Sequence, residues 1–243
     1  MKVLSIVCAR GGSRGLNNKC ITKINNKVVV EYAIEYSLSL GKNVETVVST
    51  DIKELIEYCK RNNINYIERN PDFCTSESVI DHTVANAIEE KCNAYRYCSI
   101  VYGNIPTRYQ ELFQKALDFL EKNNDFDAVI SMQNVEKFNP AWMFDFNDEI
   151  LPKEDRGHYR RQMLPQKMIH DGHTLIFKAD DFYKRYNGEL PYDKKYGYSI
   201  YGSKIKPLIN NEVIIDIDMR KDLIIAEAVL QKNRKDASDR EYY

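Results

Sequence analysis

Residues 8–19 read CARGGSRGLNNK, three glycines, two arginines and a lysine directly after a short apolar run. Glycine lets backbone N–H groups come close to an anion. Ser13 adds a hydroxyl donor, and Arg10, Arg14 and Lys19 supply three like charges in one loop. Those charges repel one another unless an anion lies among them, and a triphosphate has the charge to do so. A solvated basic turn is the alternative, but the position after a buried strand favours phosphate. Two familiar loops are excluded by spacing. Glycines 11, 12 and 15 do not form G-x-G-x-x-G, and Gly15 is followed by Leu16 and Asn17 rather than by Lys and Ser or Thr. Toward the other end, Asp216 and Asp218 stand two residues apart in NEVIIDID. A period of two puts both on one strand face, where they repel unless a cation bridges them or one is protonated. Hard oxygen ligands near phosphate suit Mg²⁺. On these residues alone the other reading, Asp218 capping the next helix and Asp216 simply exposed, weighs equally.

Other residues carry weaker signals. Arg161 is able to clamp a carboxylate with two parallel hydrogen bonds, or it belongs to a surface basic cluster with Arg156, Arg160 and Lys167. His170 and His173 flank Asp171 and Gly172, and two histidines across a glycine turn lack the third ligand of a zinc site. They read as a turn with a ligand-facing polar edge. Tyr102 and Asn104 end an apolar run, at the strand edge where open α/β sheets bind ligands.

The elements that must position these groups alternate. Apolar runs at 3–9, 45–51, 65–68, 97–103, 127–132, 173–179 and 211–218 predict strands. Helical spacing predicts helices over 28–40, 52–62 (with Asp51 as a candidate cap), 78–91, 109–122 and 219–233. Strand alternating with helix means a mostly parallel sheet covered on both faces. The segment 138–167, rich in aromatics, prolines and charges, breaks the pattern and reads as an inserted arm, and the last ten residues read as a polar, frayed tail. The chain has 243 residues and a formal net charge of −1, so it reads as one α/β domain over 1–243. It has no broad basic field to attract nucleic acid or an acidic membrane. Six cysteines without C-x-x-C spacing, and no apolar run long enough for a signal peptide or a membrane span, predict reduced thiols and a cytoplasmic protein.

The segment from Ala9 to Lys19 resembles the signature loop of the CMP-N-acetylneuraminate synthetases, the cytidylyltransferases that activate sialic acid and related nonulosonic acids. That loop reads A-R-x-x-S-K/R-G-hydrophobic-x-x-K, and every position is present. The related CMP-Kdo synthetases usually carry Pro-Gly before the lysine, where this chain has Asn17-Asn18. The resemblance implies a Rossmann-like, GT-A-like nucleotidyltransferase fold with a protruding dimerisation arm at about 138–167, and hence a homodimer. It implies that Ala9, Arg10, Gly11, Gly12, Ser13, Arg14 and Lys19 wrap the phosphates of CTP, with Arg10, Arg14 and Lys19 stabilising the departing pyrophosphate. Arg69 in YIERN resembles the family's nucleotide-contacting arginine, and Tyr102 joins that set. The family's D-I-D-T-x-x-D segment matches Asp216 and Asp218, there the metal pair, with Met219 in place of threonine. Arg161, Gln162 and Gln166 match R-Q-x-L-P-Q near the sugar acid, and Asp171 and Gly172 take the positions of an Asn-Gly turn. In VYGNIPTR, Pro106 and Arg108 match L-Q-P-T-S-P-L-R, but Tyr102 replaces a glutamine that reads the sugar, and Asn104 is a substitute amide. The implied reaction transfers CMP from CTP to a small anionic sugar acid with Mg²⁺ as cofactor, releasing pyrophosphate. A Kdo-like acid, a sugar phosphate or a phosphonate as acceptor, or a nucleotide-binding module without catalysis, are the rival readings.

Overall fold

The computed structural model describes residues 2–12, 16, 18–75, 78–91, 94–147, 149–152 and 160–240. In chain order the elements are β1 (Val3–Ala9), a small hairpin β2 (Lys23–Ile24) and β3 (Lys27–Val28), α1 (Val29–Leu38), β4 (Val44–Thr50), α2 (Lys53–Arg61), β5 (Tyr66–Glu68), α3 (Ile80–Glu90), β6 (Tyr97–Tyr102), α4 (Gln110–Lys122), β7 (Ala128–Asn134), a second hairpin β8 (Phe144–Asn147) and β9 (Glu149–Pro152), β10 (Met168–Lys178), α5 (Ala179–Tyr186), β11 (Ile205–Ile209) and α6 (Arg220–Arg240).

Seven strands form one sheet in the order β11-β7-β10-β6-β1-β4-β5. Only β10 runs antiparallel to its neighbours. The central strands are apolar on both faces because both are covered. Val7, Ala9, Val48 and Val101 pack on α1 and α2, and Val3, Tyr97, Val129 and Ile176 pack on α4. On the other face Leu4, Ile6, Cys98 and Ile100 meet α3 and α5 through Val84, Ile88 and Phe182. One polar thread through this core is satisfied: Ser5, Ser37 and Thr46 pass a hydroxyl chain from β1 through α1 to β4, with oxygens 2.6 and 2.9 Å apart. The five described cysteines are free thiols. Among the described residues no helix is long and apolar enough to cross a membrane.

Two expectations fail here. Residues 211–218 do not form a strand. The edge strand beside β7 is β11, and the later segment instead lies along the loop after β6, where Ile215 N–H donates to Thr107 Oγ1 (2.9 Å) and Ile217 N–H to the Asn104 carbonyl (3.1 Å). Asp51 does not cap α2, whose N-terminus has no side-chain cap. In addition, helix continues into the expected tail as far as Arg240.

Candidate active site

The parallel strands β1, β4 and β6 end along one edge, with the chain crossing from β4 and β5 on one side of β1 to β6 on the other, the place where such sheets hold ligands. At the end of β1, Gly11 N–H donates to Asp51 Oδ1 at 2.8 Å. The carboxylate expected to cap a helix thus anchors the glycine loop instead. Gly12 follows with φ +69°, a left-handed backbone that favours glycine. Ser13 and Arg14 lie outside the described residues. Asn18, also left-handed at φ 57°, turns the chain into a short 3-10 turn, Lys19–Ile21, which aims Lys19 back across the cleft.

That cleft, about 200 Å³, is lined by Arg10, Lys19, Arg69, Phe73, Tyr102 and Asn104 among others. Arg10 Nη1 donates to the Thr75 carbonyl and so ties the loop to the segment leading into α3. Arg69 is buried beneath the floor, held by Ser49 through Nε to Oγ (3.3 Å) and Nη2 to the carbonyl (3.0 Å). No carboxylate among the described residues pairs with it. A desolvated cation of this kind favours an anionic or carbonyl-rich ligand.

The two aspartates bond to residues that line this cleft. Lys19 Nζ lies 2.6 Å from Asp218 Oδ1, so loop and carboxylate pair face each other. Asn104 Nδ2 donates to Asp216 Oδ1 and, at 3.3 Å, to the Ile217 carbonyl. Burial, and next the nearby Asp218, push the Asp216 carboxyl above its ordinary range. Asp218 is not the helix cap. Asp222 reaches back to the N–H groups of Asp218 (3.0 Å) and Met219 (2.7 Å), a carboxylate in the first turn of α6 serving its own N-terminus. With that work taken by Asp222, Asp216 and Asp218 keep oxygens free for a cation. Two carboxylates suffice for Mg²⁺, which binds proteins through one or two and fills its shell with water and phosphate. Among the described residues no cluster of three such ligands exists.

A second cleft of about 420 Å³ lies on the far side of Tyr102, lined also by Gln133, His170, Gly172, Ile214 and Asp216. Tyr102 lines both clefts, and the hydrogen-bonded pair Asn104 and Asp216 has one member in each. The wall here is a bulge in β10, whose register against β7 shifts between His170 and Leu175. Asp171 fixes it. Oδ1 accepts from Ser131 Oγ (2.5 Å) and His173 N–H (2.9 Å), and Oδ2 accepts from Asn210 Nδ2 (2.6 Å). Asp171 therefore shapes the wall more than it offers free oxygens. Gly172, at φ +71°, leaves room for Ile105, since a Cβ there would lie 2.6 Å from Ile105 Cδ1.

His173 is internal scaffolding. Nε2 accepts from Tyr109 N–H at 2.7 Å, which leaves the proton on Nδ1 to donate to Thr174 Oγ1, also 2.7 Å. Burial and then the Arg108 charge hold its pKa down to about 3. Gln162 and Gln166 are exposed on the segment entering β10 and line neither cleft. Arg161 is described only as backbone, in the turn Arg161–Met163. Ala9, buried at the end of β1, positions the loop by pairing with Thr50. Arg108 and Asp51 acquire roles that their sequence context does not reveal, because both are defined by contacts with distant backbone.

Comparison with known proteins agrees with this geometry. A family model described as Cytidylyltransferase matches residues 4–224. Pseudaminic acid cytidylyltransferase of Campylobacter jejuni is 21% identical over 98% of this chain and the relative's whole length. N-acylneuraminate cytidylyltransferase of Streptococcus agalactiae is 24% identical over 92% of this chain, which spans about half (52%) of that longer protein. Among solved structures, CMP:2-keto-3-deoxy-manno-octonic acid synthetase complexed with CTP superposes with a TM-score of 0.70 over 96% of this chain and all of that one, at 12% identity.

Proposed function

Since the chain belongs to the cytidylyltransferase family and is a CTP-dependent nucleotidyltransferase, we propose that it couples CTP to a nonulosonic acid, a sialic acid-like sugar acid. The products are the CMP-sugar and pyrophosphate. The relatives named for pseudaminic and N-acylneuraminic acids support this acceptor class. The observation that carries the reading is the meeting of Lys19 with Asp218 across a cleft that Tyr102 and the Asn104–Asp216 pair join to a second cleft. Such a layout gives a triphosphate and a sugar adjoining places.

The chemistry follows from the groups present. The triphosphate lies along the glycine loop, with Arg10 and Lys19 opposing its charge and Arg14 assigned to the same task by its motif. The acceptor hydroxyl gives up its proton to water, its oxygen bonds to the α-phosphorus, the bond to the β-phosphate's bridging oxygen breaks, and negative charge grows on pyrophosphate beside Arg10 and Lys19. Fixed charges already aimed at a growing anion lower the barrier without reorganising. Arg69 holds the nucleoside end. Asp216 and Asp218 would hold Mg²⁺, which when bound polarises the α-phosphate and screens the triphosphate. Asn104 orients Asp216, and Tyr102 with the β10 bulge orients the acceptor, so that a reaction between two bound molecules needs little further ordering. Arg161, Gln162 and Gln166 are assigned to the sugar acid by their motif alone, since Gln162 and Gln166 line neither cleft. The arm at about 138–167 is assigned to clasping a second copy in a homodimer, within a single catalytic domain working in the cytoplasm.

The test is pyrophosphate release from CTP and Mg²⁺ with N-acetylneuraminic, pseudaminic, legionaminic and Kdo-type acids and with simple phosphonates, using UTP, ATP and GTP as controls. Release with CTP and a nine-carbon acid is the expected result. Release only with a phosphonate, or with no acceptor at all, refutes it.

A further inference from the structure

Arg108 lines neither of the two clefts, yet its guanidinium joins their walls. Nε donates to the Ile105 carbonyl (3.2 Å), and Nη2 to the carbonyls of Tyr102 (3.1 Å) and, more weakly, Gly172 (3.4 Å). Nη1 donates to the His173 carbonyl. Two of these acceptors belong to the segment leaving β6 and two to the bulge in β10. No carboxylate among the described residues pairs with the cation. Instead it lies over the Tyr36 ring, 5.4 Å from the centroid. Burial draws its pKa down to about 10, so it remains charged at neutral pH.

The sheet explains why a clamp is needed here. β6 and β10 pair from Tyr97 with Lys178 up to Ile100 with Leu175, and there the ladder stops. Beyond it the strands carry the working surfaces, Tyr102 and Asn104 on one and His170 to Gly172 on the other, with no backbone hydrogen bonds between them. The planar fork of an arginine reaches acceptors on both sides of such a gap; an ammonium, a point charge with three donors, does not reproduce that span. The next residue adds a second strut, Tyr109 N–H to His173 Nε2.

We propose that Arg108 is a positioning residue that replaces the missing ladder and sets the spacing between the nucleotide cleft and the acceptor cleft. This rests on the assignment of the two clefts under the proposed function. Its loss should leave the nucleotide where it is, because Arg10, Lys19 and Arg69 stand on other elements, and should misplace the acceptor wall. Small misplacements of this kind cost about 10² in rate.

The test uses the full chain with CTP and, as acceptors, N-acetylneuraminic acid and pseudaminic acid. Arg108→Lys keeps the charge and loses the fork. Expected are a CTP Kd, measured calorimetrically without acceptor, within about twofold of wild type, and an acceptor kcat/KM per active site lowered at least about tenfold. Gly172→Ala pushes the same wall from the other side, against Ile105 Cδ1, and should give the same split; it decides the matter if Arg108→Lys does not fold. A clamp needed only for folding would lower the melting temperature and the yield of active sites without that split. An acceptor kcat/KM within about threefold of wild type, or a CTP Kd weakened in parallel with it, overturns the positioning role. A wild type that binds CTP but releases no pyrophosphate with either acid overturns the functional reading instead.

Discussion

Replacing Lys19 with alanine separates catalysis from stability. The ammonium pairs with Asp218, whose side chain is 61% exposed, while that of Lys19 is 21% exposed. A pair so open to water contributes about 0.2–1 kcal/mol. For a chain of this size 1 kcal/mol moves the melting temperature by about 2–4 °C. The turn beneath Lys19 does not depend on the side chain, because it closes through Ile21 N–H and Thr22 N–H to the Asn18 carbonyl (2.9 and 3.1 Å). Lys19→Ala should therefore melt within about 4 °C of wild type. The kinetic loss is of another order. Removing one fixed group aimed at charge that grows in the transition state costs about 10²–10³ in turnover. Removal of Lys19 also takes away the cation that lowers the Asp216 carboxyl against the repulsion of Asp218 and Asp222. The assay is initial-rate pyrophosphate release at saturating CTP, Mg²⁺ and acceptor, with a circular dichroism melt on the same preparation. Turnover within about threefold of wild type, or a melt lowered far beyond the range for one exposed ion pair, would refute the reasoning.

Three further outcomes follow from the same geometry. His173 has a pKa near 3 in the fold against about 6.5 in the unfolded chain, so below pH 6.5 the unfolded state binds a proton that the native state refuses. Stability is present above that pH and falls on acidification by up to about 1.4 kcal/mol per unit. His170, also depressed by burial, adds in the same direction. His173→Gln should lower the slope of urea midpoint between pH 6.5 and 5, and an unchanged slope refutes the assignment. Asp216 has the opposite sign: its carboxyl is raised by burial and by Asp218, so the stability it contributes in acid is lost as pH rises through its folded pKa, and its charge is a cost at neutral pH. Asp216→Asn should raise the melting temperature at pH 7, lose that advantage near pH 4, and turn over at least about a hundredfold more slowly; a lower melting temperature at pH 7 counts against it. Gly103→Ala would set a Cβ 3.0 Å from both Ala9 Cβ and the Cys8 carbonyl and 3.1 Å from Val30 Cγ2. Overpacking of that kind costs about 1–3 kcal/mol, to be read as a drop in urea midpoint, and a midpoint equal to wild type would show that the strand end yields.

Much of this was legible in the chain because burial on both faces leaves a plain mark. The apolar runs at 3–9, 97–103 and 127–132 coincide with β1, β6 and β7 to within a residue or two. The alternation of NEVIIDID was misleading. A period of two says that a segment is extended and half buried, not that its partner is a strand, and this one bonds to Thr107 Oγ1 and the Asn104 carbonyl. The true edge strand was hidden by Pro207, which an edge tolerates because no ladder donor is needed on its open side. The reversed direction of β10 leaves no mark in composition at all. At the site, the loop and the aspartates stand out because their residue types suggest a chemistry, and the structure brings Lys19 to Asp218. Asp51 and Arg108 do not, since what they do depends on the backbone they meet some 40 and 65 residues away.

The two halves of the site are therefore constrained differently. On the nucleotide side, Ala9, Thr50 and Tyr102 end parallel strands paired in register through β1, so topology alone delivers the loop, Asp51 and Asn104 to one edge, and changing any of them disturbs a shared ladder. On the acceptor side the ladder has already stopped at Leu175, and the wall is a bulge pinned by side chains: Asp171 to Ser131 and Asn210, Arg108 to four carbonyls. Inside that frame the residues facing the cleft include Gln133, Ile169, His170 and Ile214. The motif match follows the same division, close at Ala9–Lys19 and Asp216–Asp218 and loose around Tyr102.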